Sequence, residues 1–142
     1  MRALLDVNVL IAMLDSDHLH HARALAWLKQ NIKSGWASCP LTQNGCIRIM
    51  SQPGYPNALP AAAVAERLAA ATATRHHAFW PDAVSMLDAG RIAWIAVLGS
   101  RQVTDVYLLA LAVQQGGRLV TLDRAVPLKA VPGAKAANLV VI

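Results

Sequence analysis

Carboxylates are scarce in this chain: seven aspartates and one glutamate, Glu66, stand against thirteen lysines and arginines in 142 residues, leaving a formal charge of +5. A balance of that sign favours a polyanionic partner, either nucleic acid or an acidic protein. Cysteine is equally thin. Cys39 and Cys46 have neither metal-ligand spacing nor a disulfide framework, so both are expected to be buried, inert thiols. Long hydrophobic runs are missing too, and Ile92 to Leu98 falls far short of the roughly 20 apolar residues a spanning helix needs. The opening Met1-Arg2-Ala3-Leu4-Leu5 resembles the start of a signal peptide. Asp6 and Asn8 interrupt it, however, and no small-residue cleavage site follows. It is expected to be a buried strand in a protein that stays in the cytoplasm and has no membrane partner. No Gly-rich loop of the form G-x-x-x-x-G-K-[ST] occurs, which disfavours a P-loop nucleotidase.

What is present is apolar: 56% of residues, enough to bury a real core in one domain spanning 1–142. Ala3-Leu4-Leu5 predicts a buried strand ending at Asp6. Ala22, Leu25, Leu28 and Ile32 recur at helical spacing, predicting a helix from His18 to about Ile32, capped by Asp17 and stopped by Gly35. Trp36 to Cys39 predicts a strand, Thr42 to Ser51 a helix, and Pro60 to Thr72 an Ala-rich helix. His77 to Trp80 predicts another strand, with Asp82 capping a short helix. Arg91 to Ser100 fits strand or loop equally. Thr104 is a suitable cap for a helix from Asp105 to Gln115, closed by Gly116-Gly117. Arg118 to Leu122 and Asn138 to Ile142 complete the strands. Strands alternating with helices predict an α/β fold with a mainly parallel sheet covered on both faces.

Three aspartates fall where chemistry is built in such folds. Asp6 and Asp123 end strands, and Asp105 opens a helix. In open α/β sheets, ligands bind in the crevice beyond the carboxyl ends of the strands, where these groups could converge. Clustered carboxylates repel one another and suffer shifted pKa values unless a cation joins them. Hard oxygen donors of this kind suit Mg²⁺ or Mn²⁺, which can generate hydroxide and steady the charge of a phosphodiester in transit. Taken singly, each aspartate is equally a turn former or a first-turn charge. Arg48, Arg101 and Arg124 are candidate phosphate contacts, because guanidinium forks match phosphate oxygens. His18, His20, His21, His76 and His77 are expected to be ordinary polar residues rather than ligands. Trp27 and Trp36 are expected to fill the core.

Four separated blocks occur in one order: Leu4-Leu5-Asp6-Val7-Asn8-Val9-Leu10, Pro40-Leu41-Thr42-Gln43, Arg101-Gln102-Val103-Thr104-Asp105 with Leu108 to Ala112, and Thr121-Leu122-Asp123-Arg124. Together with Phe79-Trp80-Pro81-Asp82 they resemble the PIN-domain family, and especially the VapC toxins of toxin–antitoxin pairs. The resemblance implies a three-layer α/β/α sandwich whose acidic pocket binds Mg²⁺ or Mn²⁺ and cuts single-stranded RNA. It implies that Asp6, Asp105 and Asp123 are the acidic residues, that Asn8 helps order their site, and that Thr104 caps its helix beside the metal. It also implies a homodimer inhibited by a VapB-type antitoxin, for which the helix from His18 and the Ala-rich helix from Pro60 are the expected clamp.

One block departs from the family's pattern. Most such enzymes carry a glutamate after the threonine, where this chain has Gln43. Glutamine keeps a carbonyl oxygen that can orient a metal-bound water but loses the charge. Weaker metal affinity or a requirement for Mn²⁺ would follow, and a non-catalytic module that binds RNA or an antitoxin is the alternative. A third reading, a phosphotransferase with Asp6 as covalent nucleophile, wants a second aspartate two residues on, where Asn8 stands.

Overall fold

The computed structural model describes residues 1–142. Its elements in chain order are β1 (Ala3–Leu5), α1 (Val7–Leu14), α2 (His21–Asn31), β2 (Trp36–Ser38), α3 (Pro40–Met50), α4 (Ala61–Thr72), β3 (His77–Phe79), α5 (Val103–Gln114), β4 (Arg118–Thr121) and β5 (Leu139–Val141). The five strands form one sheet in the order β3-β2-β1-β4-β5, and all four pairings are parallel. Leu5 pairs with Val120, so β1 and β4 reach their carboxyl ends side by side.

Alternation along these short strands sorts the core into two layers. Ala3, Leu5, Trp36 and Val120 face α1 to α4, where Val9, Leu10, Ala24, Cys46, Val64 and Leu68 complete the packing. Leu4, Ala37 and Leu119 face the opposite side, against Val106, Leu109 and Ala110 of α5 and against Trp80, Val84 and Val126. A parallel sheet buried on both faces needs such doubly apolar strands, and the three-layer α/β/α sandwich follows directly. No helix is long and apolar enough to cross a membrane.

The chain runs β1, β2, β3 toward one edge, then crosses back to β4 and β5 on the other. The strand order therefore reverses between β1 and β4, and their carboxyl ends open a crevice at that switch point. α1 and α3 pack tightly just below it. A Cβ on Gly45 would lie 2.8 Å from a Val7 methyl carbon, so the absence of a side chain there lets the two helices approach.

Several expected boundaries are corrected. α2 begins at His21, not His18, and Asp17 does not cap it; His20 precedes the helix without a side-chain cap. α3 begins at Pro40, whose missing N–H is harmless in a first turn, and the Thr42 hydroxyl bonds the Cys39 backbone N–H and C=O. Asp82 caps no helix, and the segment after Trp80 is irregular. Arg91 to Ser100 is neither strand nor plain loop but holds a short 3₁₀ turn at Trp94–Ala96. α5 starts at Val103, so Thr104 lies inside its first turn instead of capping it. Gly116, at φ +65°, closes α5 in the left-handed conformation.

Candidate active site

Asp6 follows β1 directly and is the N-cap of α1, its Oδ1 accepting the Val7 N–H at 2.7 Å. Its Oδ2 accepts the Thr121 hydroxyl at 2.6 Å, which ties the end of β1 to the end of β4. Thr121 Oγ1 also accepts from Asn8 Nδ2 at 3.3 Å and from the Asp123 N–H at 3.0 Å. Asn8 Oδ1 in turn accepts the Leu122 N–H at 3.2 Å. One fully buried hydroxyl thus joins Asp6, Asn8 and the turn bearing Asp123. Asp123 Oδ1 accepts the Ala125 N–H at 2.7 Å, fixing that turn.

Asp6 is only 4% exposed. Burial raises its pKa; the hydrogen bonds from Thr121 and Val7 oppose the rise, and the charge on Asp123 adds to it. Asp105, in the first turn of α5, is pushed up to about 6, first by burial and then by the charges of Asp6 and Asp123. The charge of Asp123 acts on both Asp6 and Asp105, and that of Asp6 acts on Asp105, which links the three positions electrostatically. Burial and like-charge crowding both penalise ionisation here, and a bound cation relieves both.

Asp6 and Asp105 line a single cleft of about 340 Å³, together with Asn8, Thr104, Asn44 and Arg48. Asp123 lies at a different opening, a hollow of about 550 Å³ that it shares with Arg101. The exposed Arg124 lines neither. No three acidic, histidine or cysteine side chains are close enough together to form a ready coordination shell. The donor set nonetheless fits a hard, hydrated cation, because Mg²⁺ commonly binds through one or two carboxylates and keeps several waters.

Gln43 is not brought into the cleft. Its Nε2 donates to Ser38 Oγ at 2.9 Å, and that oxygen lies 2.9 Å from His77 Nε2. Burial first, and then Arg2, lowers the His77 pKa. The neighbouring Asn44, one position on, is the α3 amide that lines the cleft with Asp6. Sequence reasoning passed over Asn44, Thr121 and Gly45. Helical spacing offered a signal for the first: Leu41, Asn44, Gly45 and Arg48 share one face of α3. His21 Nδ1 bonds the Ala12 carbonyl and His18 Nδ1 accepts the His20 N–H, so both rings are occupied structurally. Cys39 and Cys46 are buried and free, and burial pushes the Cys46 thiol up to about 11.

A parallel sheet in this strand order, with aspartates at two strand ends and one helix start, defines a carboxylate-based α/β site at a topological switch point. Residues 3–133 match the PIN domain model, and the chain belongs to the PIN-domain family. Among its relatives, Ribonuclease VapC44 of Mycobacterium tuberculosis is 54% identical over 134 residues, covering 94% of each chain. Ribonuclease VapC39 of the same organism is 46% identical over 127 residues, covering 88% of this chain and 91% of the other. The crystal structure of VapBC2 from Rickettsia felis bound to a promoter DNA fragment contains a chain of the same fold. Its TM-score is 0.62 at 13% identity, with 100% of this chain and 98% of that one covered.

Proposed function

We propose that this protein is a divalent-cation-dependent endoribonuclease, the toxin of a type II toxin–antitoxin pair, which hydrolyses phosphodiester bonds of single-stranded RNA. The observation that carries the reading is the pairing of Asp6 and Asp105 in one cleft at the switch point, with the charge of Asp123 acting on both, in a chain otherwise poor in acid. Relatives named as VapC ribonucleases supply the reaction class.

Asp6 and Asp105 would hold Mg²⁺ or Mn²⁺, which supplies an activated water and offsets charge at the phosphodiester. The Thr121 hydroxyl holds Oδ2 of Asp6 and the Val7 N–H holds Oδ1, so the carboxylate's two oxygens keep their direction, while Asn8 steadies the Thr121 hydroxyl. Asp123, anchored at Oδ1 by Ala125, can use Oδ2 to orient a water or accept its proton. Arg48, which lines the cleft, and Arg101, which lines the hollow with Asp123, would bind RNA phosphates on either side. The cytoplasm as the site of action, a VapB-type antitoxin as inhibitor and a homodimer as the working unit belong to the same reading. A non-catalytic RNA- or antitoxin-binding module is the second reading, favoured by Asn44, a neutral amide, on the α3 wall of the cleft.

The test is incubation of purified protein with single-stranded RNA in Mg²⁺, Mn²⁺ or EDTA. Cleavage with either metal and none in EDTA supports the enzyme; RNA binding without cleavage in all three supports the second reading.

A further inference from the structure

Cations gather at the edge of the sheet opposite the acidic cleft. Because every strand pairing is parallel, the amino ends of the strands share one edge, where the register aligns His77, Trp36, Ala3 and Arg118 in a row. A lysine or arginine stands at the start of each strand: Arg2 before β1, Lys33 before β2, Arg75 before β3, Arg118 opening β4, and Lys135 before β5. None of the segments that lead into the strands contains an aspartate or glutamate. Lys33, Arg75 and Lys135 are exposed. The contacts of Arg2 and Arg118 are with neutral groups. Arg2 Nη1 donates to the carbonyls of Trp36 at 3.2 Å and His76 at 2.9 Å. Arg118 Nη2 donates to Asn31 Oδ1 at 2.9 Å, and its guanidinium lies 5.1 Å from the centre of the Trp27 ring.

Helix polarity explains only part of this row. α2, α4 and α5 each end where the chain turns back into a strand, and a helix C-terminus favours cations with about −0.5 charge. Three such ends supply about −1.5 against five positive charges, which leaves roughly +3.5 unmatched. With neighbouring strands ~4.8 Å apart, the row spans ~20 Å across the five-stranded sheet. Like charges aligned over that length repel one another, and a polyanion laid along them relieves the repulsion.

We propose that this edge is a second RNA-binding surface, which takes the phosphate backbone of a stem in the same folded RNA whose single-stranded stretch enters the acidic cleft; the ribonuclease reading supplies the identity of the polyanion. Paired RNA is recognised mostly by its shape and its phosphates, a mode that exposed lysines and arginines serve without any base contact. The strands have three or four residues, so the two edges of the sheet lie only ~10–15 Å apart, and one folded RNA reaches both. The edge adds affinity without sequence preference, and the cleft holds the bond to be cut.

The test is titration of the whole protein with an RNA stem-loop in EDTA over a series of KCl concentrations. Lys33→Ala, Arg75→Ala and Lys135→Ala combined should weaken binding by roughly tenfold or more and lower the slope of log affinity against log salt by about 3, near 1 for each lost phosphate contact. All three residues are exposed, so the fold tolerates their loss. Arg23→Ala, Arg67→Ala and Lys129→Ala combined remove the same charge from exposed positions on other segments and should keep the slope within about 1 of wild type. Cutting of a short single-stranded oligonucleotide by the wild type in Mg²⁺ or Mn²⁺ reports on the ribonuclease alone. Equal slopes in the two triple variants, with the oligonucleotide cut, overturn the surface and leave the ribonuclease standing. A slope lowered only by the edge variant, with no oligonucleotide cut, keeps the RNA-binding edge and removes the ribonuclease reading. An edge variant that loses binding to polyglutamate but keeps its affinity for RNA assigns the edge to an acidic protein and overturns the proposal.

Discussion

Without a divalent cation at pH 7, Asp105→Asn should make the protein more stable, not less. The wild-type carboxyl titrates near 6 in place of its ordinary 3.8. The folded state therefore holds this proton more tightly than the unfolded state, so the stability associated with Asp105 is greatest below about pH 4. It falls as pH rises toward 6 and stays low above that. An elevation of that size corresponds to ~3 kcal/mol by linkage, with burial of the carboxylate as the largest cause. Asp105 is only half-buried, and solvent screening reduces the figure to about 1 kcal/mol. Asparagine removes the charge and keeps the shape. Urea unfolding in EDTA should thus show the variant about 1 kcal/mol more stable at pH 7 and equal to wild type near pH 4. Saturating Mg²⁺ or Mn²⁺ should reverse the order, since binding to the folded wild type adds ~2.7 kcal/mol at a hundred times Kd. A variant less stable at pH 7 without metal, or a difference that does not change with pH, would refute the electrostatic reasoning.

Thr121→Val keeps shape but removes the hydroxyl that serves Asp6, Asn8 and the Asp123 N–H; a loss of about 1–3 kcal/mol in denaturant unfolding is expected. Metal affinity by calorimetry should fall with it, and unaltered stability would show that this junction does not organise the site. Gln43→Glu should leave metal affinity unchanged because the side chain is turned to Ser38, whereas Asn44→Asp should tighten it by adding a carboxylate to the cleft. The opposite pattern in paired titrations would restore the place of the missing acid to position 43. Cys39 and Cys46, buried with raised thiol pKa values, should resist a thiol reagent at pH 8 until urea unfolds the chain. Fast labelling of the native protein would contradict their burial.

The layer architecture was legible because each strand is short, apolar and bounded by a helix signal, a pattern that leaves a parallel sheet little alternative. Asp6, Asp105 and Asp123 were legible for a related reason, since carboxylates at strand ends and a helix start are few in so basic a chain. Side-chain direction within a helix was harder to read. Gln43 and Asn44 differ by about 100° around α3, and only the packing of Gly45 against Val7 decides which of them faces the cleft. Helix starts were misplaced where capping residues compete. Asp17 and Thr104 are both good caps by type. Yet the Asp17 N–H is held by Asp15 in a turn, and Thr104 lies inside a helix that begins one residue earlier. Thr121 was hidden because its importance is a long-range contact, 115 residues from Asp6.

In the proposed reaction Asp6, Asp105 and Asp123 act together as a metal-dependent RNA-cleaving centre. Its most direct test is RNA cleavage by wild type, Asp6→Asn, Asp105→Asn and Asp123→Asn in Mn²⁺, with calorimetric Mn²⁺ binding measured on the same folded preparations. Wild type alone should cleave, with Mn²⁺ affinity reduced most in the Asp6 and Asp105 variants, whose carboxylates share the cleft. Wild-type rates and wild-type Mn²⁺ affinity in all three variants would contradict it.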